Sequence, residues 1–453
     1  MVYGKNTYTY QFLYLALIRI ARSLESSGIR NGSLVALALE HRAFEVIVTF
    51  ALEAIGAIRI TQRDDKNLAA HLNFFITDQD STNQNDGVSV IILDDSFFKK
   101  LFAEKFSDED RSFRFNQTRP DDTIFISATS GTTGLKKYFR DTYSGLWTNF
   151  ELMQSLYFPG NDTTFWSPYR LNVGAAYVGC CLALMTGGRI IFSGLEDILN
   201  LLPQVSNSHA ALILKDAKYF REKHPHLRLK NKISSLRVLG ANLPLDLRHW
   251  LEEHLAEKVS NSYSSNEAGQ IGEVLPTGIA RLYDGVQVRI LDEDWVDMGI
   301  GTDGLIAVKS SQLIPHYLWN EDLNRLHFKD GWFRTNDMGR LLSERELVVL
   351  DRADDMLLIG GVKIPPTPIE EQLRQLAFVR HAALLNDPLN RDAGVVACIQ
   401  TTSGTDHDQA RQQVVQFLHR AFPVRVVFVE SFPLTESGKV KKFELARLCG
   451  KGG

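Results

Sequence analysis

The residues best suited to chemistry form one short run, which reads Ser127-Ala-Thr-Ser-Gly-Thr-Thr-Gly-Leu-Lys-Lys137. An apolar stretch leads into this run, which then supplies hydroxyl groups, two glycines and two lysines. Glycines let backbone N–H groups approach an anion closely, hydroxyls add donors, and lysine adds positive charge. These are the components of a polyphosphate-binding loop. The residues that we assign to the phosphates are Thr129, Ser130, Gly131, Thr132, Thr133, Gly134 and Lys137.

The run is not a Walker A loop. Gly131 and Gly134 stand three residues apart, and neither Lys-Ser nor Lys-Thr follows the second glycine. Composition alone also leaves a plain surface loop open, because clusters of Gly, Ser and Thr usually mark loops.

Two segments further along the chain carry side chains suited to the rest of a nucleotide. Asn261-Ser-Tyr-Ser-Ser-Asn-Glu267 offers an aromatic face for a base, small polar donors and a carboxylate able to hold Mg²⁺ beside phosphates. Gly331-Trp-Phe-Arg-Thr-Asn-Asp-Met-Gly339 supplies a carboxylate with two acceptor oxygens. Taken alone, each segment is also compatible with an ordinary polar turn.

In their order along the chain, these segments resemble the signatures of the adenylate-forming (ANL) superfamily, which includes acyl-CoA synthetases, aryl-CoA ligases and luciferases. Lys137 stands at the family's phosphate-loop lysine. Gly240-Ala-Asn-Leu-Pro244 resembles the segment that lines the adenine pocket, through Gly240, Ala241 and Asn242. The resemblance covers nearly the whole chain.

The resemblance implies a role for each matching residue. Tyr263 would pack on adenine, Asn266 would contact the α-phosphate, and Glu267 would bind Mg²⁺. Asp337 would accept hydrogen bonds from the ribose hydroxyls. The remaining residues implied at the nucleotide are Ser262, Ser264 and Arg352. Ser264, Asn266 and Asn336 depart from the family pattern, which usually has Gly, Thr and Gly at these positions.

The last two signatures concern a movable C-terminal part. The segment that begins Asp351-Arg-Ala-Asp resembles the family's hinge, so Asp354 would be the residue about which this part rotates. Pro433-Leu-Thr-Glu-Ser-Gly-Lys439 is similar to the final signature, whose lysine bridges the carboxylate and the α-phosphate during adenylation. The catalytic residues implied are therefore Lys137, Glu267 and Lys439.

The acid pocket of the family corresponds to the segment from Trp166 to Gly174. Amino-acid-activating members place an Asp there, and none stands between Phe165 and Val178, which argues against an α-amino acid. The pocket residues implied are Tyr169, Arg170, Leu171 and Gly174. Arg170 could meet a polar group or a second carboxylate of the substrate, although a surface or structural arginine is the commoner case.

The resulting hypothesis is an enzyme that uses ATP and Mg²⁺ to activate a non-amino carboxylic acid, aryl or aliphatic. It would then pass the acyl group to the pantetheine thiol of CoA or of an acyl carrier protein. One alternative is a catalytically degenerate, nucleotide-binding regulatory homologue. It is suggested by departures from the family pattern at Lys136, Tyr138, Ser264, Asn266 and Asn336. Another is an enzyme that ends with an amide or a released adenylate. The retained charges at Lys137, Glu267 and Lys439 favour the ligase.

An alternation of helices and strands must position these residues. Apolar spacing predicts helices over Phe12–Leu24 and Phe44–Ala57, with the strand Ser33–Leu39 between them. Further strand-like runs are Ser89–Leu93, Thr123–Ser127, Arg189–Phe192 and Leu236–Leu239. This alternation predicts an α/β fold with a mostly parallel sheet covered by helices. After about residue 275 short alternating strands prevail, such as Val286–Leu291 and Leu305–Lys309.

The chain's 453 residues are too many for one ordinary core. We predict a large N-terminal domain over residues 1–351, with stacked α/β sheets and a distorted β-barrel-like part as the resemblance implies, and a small mobile α+β domain over 352–453. In the latter, Thr367-Pro-Ile-Glu370 predicts a helix with Thr367 as its N-cap and Pro368 as its first residue. A second helix is predicted from about Gln409 to Ala421.

Composition excludes some partners. The net charge of −4, with lysines and arginines spread along the chain, gives no electrostatic reason to expect nucleic acid or an anionic membrane. No apolar run approaches the roughly 20 residues needed to span a bilayer, and nothing at the N-terminus is typical of a signal peptide. The four cysteines show neither metal-ligand nor disulfide spacing, which favours a reducing cytoplasm.

Overall fold

The computed structural model describes residues 1–4, 6–60, 71–79, 87–103, 107–130, 136–157, 162–387, 394–418, 423–434 and 440–451. Helices and strands alternate through most of this range, and the predicted α/β class is confirmed. Two large sheets carry the predicted site residues. None of the helices in the described ranges has both the length and the apolar character needed to cross a bilayer.

The first sheet has seven strands within the described residues. In spatial order they are Tyr317–Leu318, Lys136–Thr142, Thr123–Ser130, Ile58–Ile60, Leu34–Ala38, Phe74–Thr77 and Ser89–Ile92. The last five are parallel, whereas Lys136–Thr142 is antiparallel to both of its neighbours. Helices Tyr10–Ser26 and Arg42–Ile55 pack on this sheet through buried aliphatic residues such as Leu24 and Leu52.

The second sheet has fourteen strands in the part of the chain that the structure describes. Its mostly parallel half contains Asn6–Thr7, Val2–Tyr3, Arg189–Phe192, Thr164–Ser167, Ser208–Ile213, Ile233–Leu239 and Ala256–Ser265. Its antiparallel half continues with Gly269–Val274, Ile279–Leu282, Glu346–Arg352, Trp332–Ser343, Gly304–Lys309 and Gln287–Leu291, and Phe328–Lys329 pairs with Trp332–Ser343.

Helices cover the parallel half of this sheet. They are Tyr143–Tyr157, Gly174–Met185, Leu214–Lys223 and Leu245–His254. One sheet face packs against the last two helices, through buried residues that include Trp166, Leu236 and Leu251. The first two helices contribute buried residues to a separate apolar cluster that also contains Phe165 and Ala211.

The strand Ala256–Ser265 belongs to both halves of the second sheet. Its first six residues pair in parallel with Ile233–Leu239, and residues 262–265 pair antiparallel with Gly269–Val274. The predicted nucleotide segment from Asn261 to Glu267 therefore begins where the sheet changes from parallel to antiparallel. Ligands commonly bind at such changes in strand organisation of α/β sheets.

The antiparallel half is strongly curled. The strands that carry Tyr263 and Asp337 stand four positions apart in the sheet, which in a flat sheet would separate them by roughly 19 Å. The Tyr263 hydroxyl is nevertheless 2.8 Å from the Asp337 carboxylate. In the described residues, this curled antiparallel half corresponds to the barrel-like part that was expected.

The residues from Leu357 onward build a smaller α+β unit. It contains the hairpin Leu357–Ile359 and Val362–Ile364, and a sheet formed by Val379–Asn386, Val395–Thr401 and Val424–Phe428. Its helices are Thr367–Leu373, His407–Leu418 and Lys442–Lys451. In the described residues, its buried apolar side chains cluster with one another and not with those of the two large sheets.

Two predictions about this unit were wrong. Thr367 is the first residue of its helix and not the N-cap, which is Pro366. The amide of Thr367 instead donates to the Asp351 carboxylate at 3.0 Å, so a side chain from outside the helix provides the acceptor that a cap would supply. In addition, Cys398 and Cys449 form a disulfide. The helix Lys442–Lys451 brings them together across a separation of 51 residues, which the cysteine spacing did not indicate.

Candidate active site

Three predicted nucleotide residues meet inside the curl of the antiparallel half. The hydroxyl of Tyr263 donates to Asp337 Oδ2 at 2.8 Å. Asp337 pairs in register with Arg352, whose Nε lies 3.7 Å from Asp337 Oδ1. Burial, reinforced by the charge of Asp337, raises the pKa of Tyr263 well above its ordinary value. The phenol therefore stays protonated and orients one oxygen of the carboxylate.

A second group joins the two large sheets. Glu267 is 9% exposed, and its Oε1 accepts a 2.7 Å hydrogen bond from the hydroxyl of Tyr317. Lys137 lies on the strand next to Tyr317, with its Nζ 5.1 Å from the centre of the tyrosine ring. Burial lowers the pKa of Lys137, while Glu267 raises it and Arg352 lowers it further. The two groups thus share one electrostatic environment.

Strand pairing explains the position of Lys137. Thr129 pairs with Lys137 and Ser130 pairs with Lys136, so the two strands are held together up to the ends of the phosphate run. Phe139, on the same strand face as Lys137, is buried and pairs with Tyr317. The sheet side of the predicted loop is thereby anchored by a buried aromatic pair.

Several predicted residues lie outside the described residues. These are Gly131, Thr132, Thr133 and Gly134 of the phosphate run and Lys439 of the final signature, and the same holds for the side chains of Thr129 and Ser130. Their assignments stay predictions from the sequence.

The adenine-pocket segment is held by Asn261, for which no role of its own was predicted. The buried carboxamide of Asn261 donates to the carbonyls of Val238 and Ala241, each at 3.0 Å. It also accepts the amide of Leu243 at 3.2 Å. These bonds fix the turn that Gly240 begins with φ +87°, a left-handed conformation that suits glycine. Asn242 lies inside the turn.

The remaining polar residues of the segment 262–266 are less buried. Ser262 Oγ lies 3.3 Å from the hydroxyl of Tyr283, whereas Ser264 and Asn266 are exposed. Asn336, beside Asp337, donates its side-chain amide to the carboxylate of Asp354. The residue that replaces the family glycine therefore contacts the predicted hinge directly.

The predicted acid-pocket residues form hydrogen bonds with other parts of the fold or lie within its packing. Tyr169 donates to Asp216 at 2.5 Å and accepts the amide of Ile213 at 2.8 Å. Arg170 donates to the carbonyl of Leu39. Leu171 is buried with its amide on Glu45, and Gly174 begins the helix Gly174–Met185. The structure does not bring these four residues to the cavity described next.

A cavity of about 30 Å³ lies between the parallel half of the second sheet and the helices Tyr143–Tyr157 and Gly174–Met185. Its polar lining consists of His209, Ser235 and Arg237. The sequence analysis missed all three. The sequence does contain a pattern that could have indicated them. In Ile233–Leu239, the polar Ser235 and Arg237 alternate with the apolar Leu236 and Val238, as expected for a strand with one polar face.

The chain resembles known proteins over its full length. Residues 1–318 match the family model described as AMP-binding enzyme. A 2-succinylbenzoate–CoA ligase of Listeria monocytogenes is 24% identical over 484 aligned positions, which cover 98% of this chain and 95% of the relative. A long-chain-fatty-acid–CoA ligase of Yersinia pestis is 25% identical over a match that covers 73% of this chain and 63% of the relative.

A solved structure shares the same fold. ATP-bound MatB from Rhodopseudomonas palustris superposes with a TM-score of 0.85 at 19% identity, covering 98% of this chain and 94% of that one. At this identity the likeness bears on the architecture alone.

Proposed function

The chain belongs to the AMP-binding enzyme family, and from that premise we propose that it activates a carboxylic acid with ATP and transfers the acyl group to CoA. The first half-reaction joins the acid to AMP and releases pyrophosphate. The second passes the acyl group from the acyl-adenylate to the CoA thiol. The observation that carries the proposal is the meeting of Lys137, Glu267 and Tyr317 beside the Tyr263–Asp337–Arg352 group.

The nucleotide would occupy the space between these two groups. The ring of Tyr263 would offer its face to adenine, and Asp337 would accept hydrogen bonds from the ribose. Since Asp337 Oδ2 is already bound by Tyr263, its Oδ1, which is 3.7 Å from Arg352, is the oxygen suited to a ribose hydroxyl. The turn that Asn261 holds would close the adenine pocket.

Magnesium would enter with ATP as part of the substrate. Within the described residues no group of three or more His, Cys, Asp or Glu side chains could hold a metal ion. Glu267 uses Oε1 for Tyr317, and Oε2 makes no hydrogen bond with any described residue. A single carboxylate fits Mg²⁺, which is usually held by one or two carboxylates together with phosphates and water.

The difficulty in the first step is electrostatic, because a carboxylate must approach the negatively charged α-phosphate. Lys137 and the Mg²⁺ held by Glu267 would offset that charge where it accumulates. By resemblance, Lys439 would bridge the two reacting groups. No protein nucleophile is required.

We further propose that residues 352–453 move as a domain about Asp354, away from residues 1–351. Support comes from the separate apolar clusters of the residues beyond Leu357. Polar contacts join the two parts at the surface, such as Lys363 with Glu293 at 2.9 Å. The movement would carry Lys439 away from the site. It would also open a path by which the thiol reaches the acyl-adenylate. CoA is favoured over an acyl carrier protein as the acceptor because both curated relatives are named CoA ligases.

The deciding experiment is ATP–pyrophosphate exchange with a panel of aliphatic, aromatic and amino acids. Lys439→Ala should abolish exchange but spare thioester formation from a supplied acyl-adenylate. Lys441→Ala is the matched control, because Lys441 is exposed and, among the described residues, forms its ion pair with Glu444 at 2.9 Å. Equal loss of both half-reactions in Lys439→Ala would contradict the domain movement. Absence of exchange with every acid, while ATP still binds, would favour the regulatory homologue.

A further inference from the structure

The cavity beside the second sheet has an unusual polar wall. Residues two apart along a strand share one face, so Ser235 and Arg237 project from Ile233–Leu239 on the same side. The register places His209 beside Ser235 and Ala211 beside Arg237. The opposite face of the same strand contributes Leu236 and Val238 to a purely apolar cluster.

Arg237 is the charged residue among the described residues that line this cavity. Its Nη1 lies 2.9 Å from the sulfur of Met153, and its Nη2 donates to Gln270 Oε1 at 2.6 Å. The guanidinium carbon stands 5.2 Å from the ring centre of Tyr157. Its buried Nε has no hydrogen-bond partner in the described part of the chain.

The charge of Arg237 has no balancing carboxylate in the part of the chain that the structure describes. Among the described residues no Asp or Glu side chain forms an ion pair with Arg237, and the contacts found there are a thioether, an amide oxygen and an aromatic ring. Burial lowers the pKa of His209 to about 4, so the imidazole beside it is neutral at pH 7. Buried arginines are usually paired with an anion, since removing an unpaired charge from water is costly.

The position of Arg237 relates the cavity to the nucleotide site. Arg237 precedes Gly240 by three residues and is in register with Ser260, which precedes Tyr263 by three residues. At about 3.3 Å per residue, both paths place Arg237 roughly 10 Å along the backbone from Gly240 and Tyr263, which are proposed to line the adenine pocket. The cavity and the nucleotide site are therefore close together on the same two paired strands.

The size of the cavity limits what can enter. A water molecule needs about 10–15 Å³ on this scale, so a volume of about 30 Å³ suits a group as small as a carboxylate. Phe165, Val178 and Gly179 are among the apolar residues of the lining. The wall therefore suits a short apolar body that ends in an anion.

We propose that the acid is a short dicarboxylic acid, with one carboxylate adenylated and the other bound by Arg237. This inference rests on the proposed function and adds the substrate class to it. The distal carboxylate would accept the Nε–H that has no partner among the described residues, and it would neutralise the guanidinium. Charge-assisted hydrogen bonds of this kind are about twice as strong as neutral ones.

The test compares ATP–pyrophosphate exchange by the full chain with two matched series, propanedioate to hexanedioate and propanoate to hexanoate. We expect one of the shorter diacids to have a kcat/KM at least tenfold higher than the monoacid of equal length. Exchange in which the monoacids are preferred at every length would overturn the inference and leave the proposed function standing. Exchange with neither series, nor with any acid of the wider panel, would contradict the proposed function itself and this inference with it.

Variants of Arg237 then test whether this residue causes the preference for diacids over monoacids. Arg237→Gln should lower the ratio of the kcat/KM values for the preferred diacid and the matched monoacid by roughly 10- to 100-fold, the effect of losing a hydrogen bond to a charged group. Arg237→Lys should retain part of the diacid preference. Arg228→Gln is the surface control, since Arg228 is 66% exposed. A parallel loss for both acids in Arg237→Gln would overturn the role of Arg237, and melting curves would check that each variant is folded.

Discussion

The hydroxyl of Tyr317 donates a 2.7 Å hydrogen bond to Glu267, and this bond connects the edge strand of the first sheet to the end of a strand in the second. It fixes one carboxylate oxygen of Glu267 and leaves the other without a hydrogen bond from the described residues. The burial of Tyr317, together with the charge of Glu267, raises the pKa of the phenol above its ordinary value. The donor therefore keeps its proton throughout the usual assay range.

Tyr317→Phe removes this hydrogen bond while keeping the buried ring. We expect kcat/KM for Mg²⁺-bound ATP to fall about tenfold, since a hydrogen bond to a charged group contributes about 1.5 kcal/mol or more. The Mg²⁺ concentration needed for half-maximal rate should rise, because Glu267 is less well oriented. Tyr14→Phe is the control, as Tyr14 is 54% exposed. An unchanged Mg²⁺ dependence in Tyr317→Phe would show that Glu267 needs no support from Tyr317.

Lys137 predicts a pH dependence with a definite sign. Burial lowers its pKa, so the ammonium loses its proton at a lower pH than an ordinary lysine. If its charge offsets the phosphates, kcat/KM for ATP should fall on the alkaline side below the ordinary lysine value, because this parameter reports the free enzyme. Lys137→Arg should move that fall to higher pH, since arginine keeps its charge. Identical alkaline profiles would exclude Lys137 as the titrating group.

Asn336→Ala removes the contact between Asn336 and Asp354. The hydrogen bond is exposed, so we expect a modest effect of about 0.5–1 kcal/mol, seen as a two- to fivefold faster proteolytic cleavage near residue 354. Thioester formation from a supplied acyl-adenylate should change more than pyrophosphate exchange does.

Asp303→Ala is the matched control for that variant. It removes an exposed contact with Arg340 within the same sheet, at 2.6 Å, and lies away from the hinge. Equal cleavage rates in wild type and Asn336→Ala would mean that Asn336 does not restrain Asp354.

Gly179→Ala tests the packing around the cavity. A Cβ at this position would lie 2.2 Å from Cζ of the buried Phe165 ring, so the ring must shift. We expect the free energy of unfolding to fall by about 1–3 kcal/mol, the usual cost of overpacking a core. Chemical denaturation measures it, and adding Phe165→Leu should restore part of the loss.

Gly145→Ala provides the comparison. Gly145 lies in the helix Tyr143–Tyr157, where an added Cβ would be 3.4 Å from its nearest neighbour, Thr142 Oγ1. Alanine favours helices by about 1 kcal/mol over glycine, so stability should be unchanged or higher. A similar loss in both variants would indicate a general intolerance of substitution instead of a clash with Phe165.

Much of the architecture could be predicted from local patterns. Apolar spacing predicted a helix over Phe44–Ala57, and the structure has Arg42–Ile55. The predicted strand Leu236–Leu239 is observed as Ile233–Leu239. Its first part was missed because two serines interrupt the apolar run there. Turn residues and hydrophobic periodicity extend over only a few residues. They can therefore be recognised in a single sequence without knowledge of long-range contacts.

The parts of the site that were missed depend on contacts between distant segments. Tyr317 belongs to no short motif, and its role arises because its strand pairs with Lys136–Thr142 and faces Glu267. The family resemblance implied Arg170 as an acid-pocket residue, and no role for Arg237 was predicted from the sequence. Packing distinguishes them, since Arg170 is directed to the Leu39 carbonyl whereas Arg237 is directed into the cavity.

The two faces of Ile233–Leu239 have a consequence for how this protein can diversify. Leu236 and Val238 contribute to the apolar cluster on one face, while Ser235 and Arg237 meet the cavity on the other. Substitutions at the cavity positions therefore leave the opposite cluster and its share of the folding energy largely intact. Natural drift or directed evolution could therefore change the acid preference by substituting every second residue of this one strand.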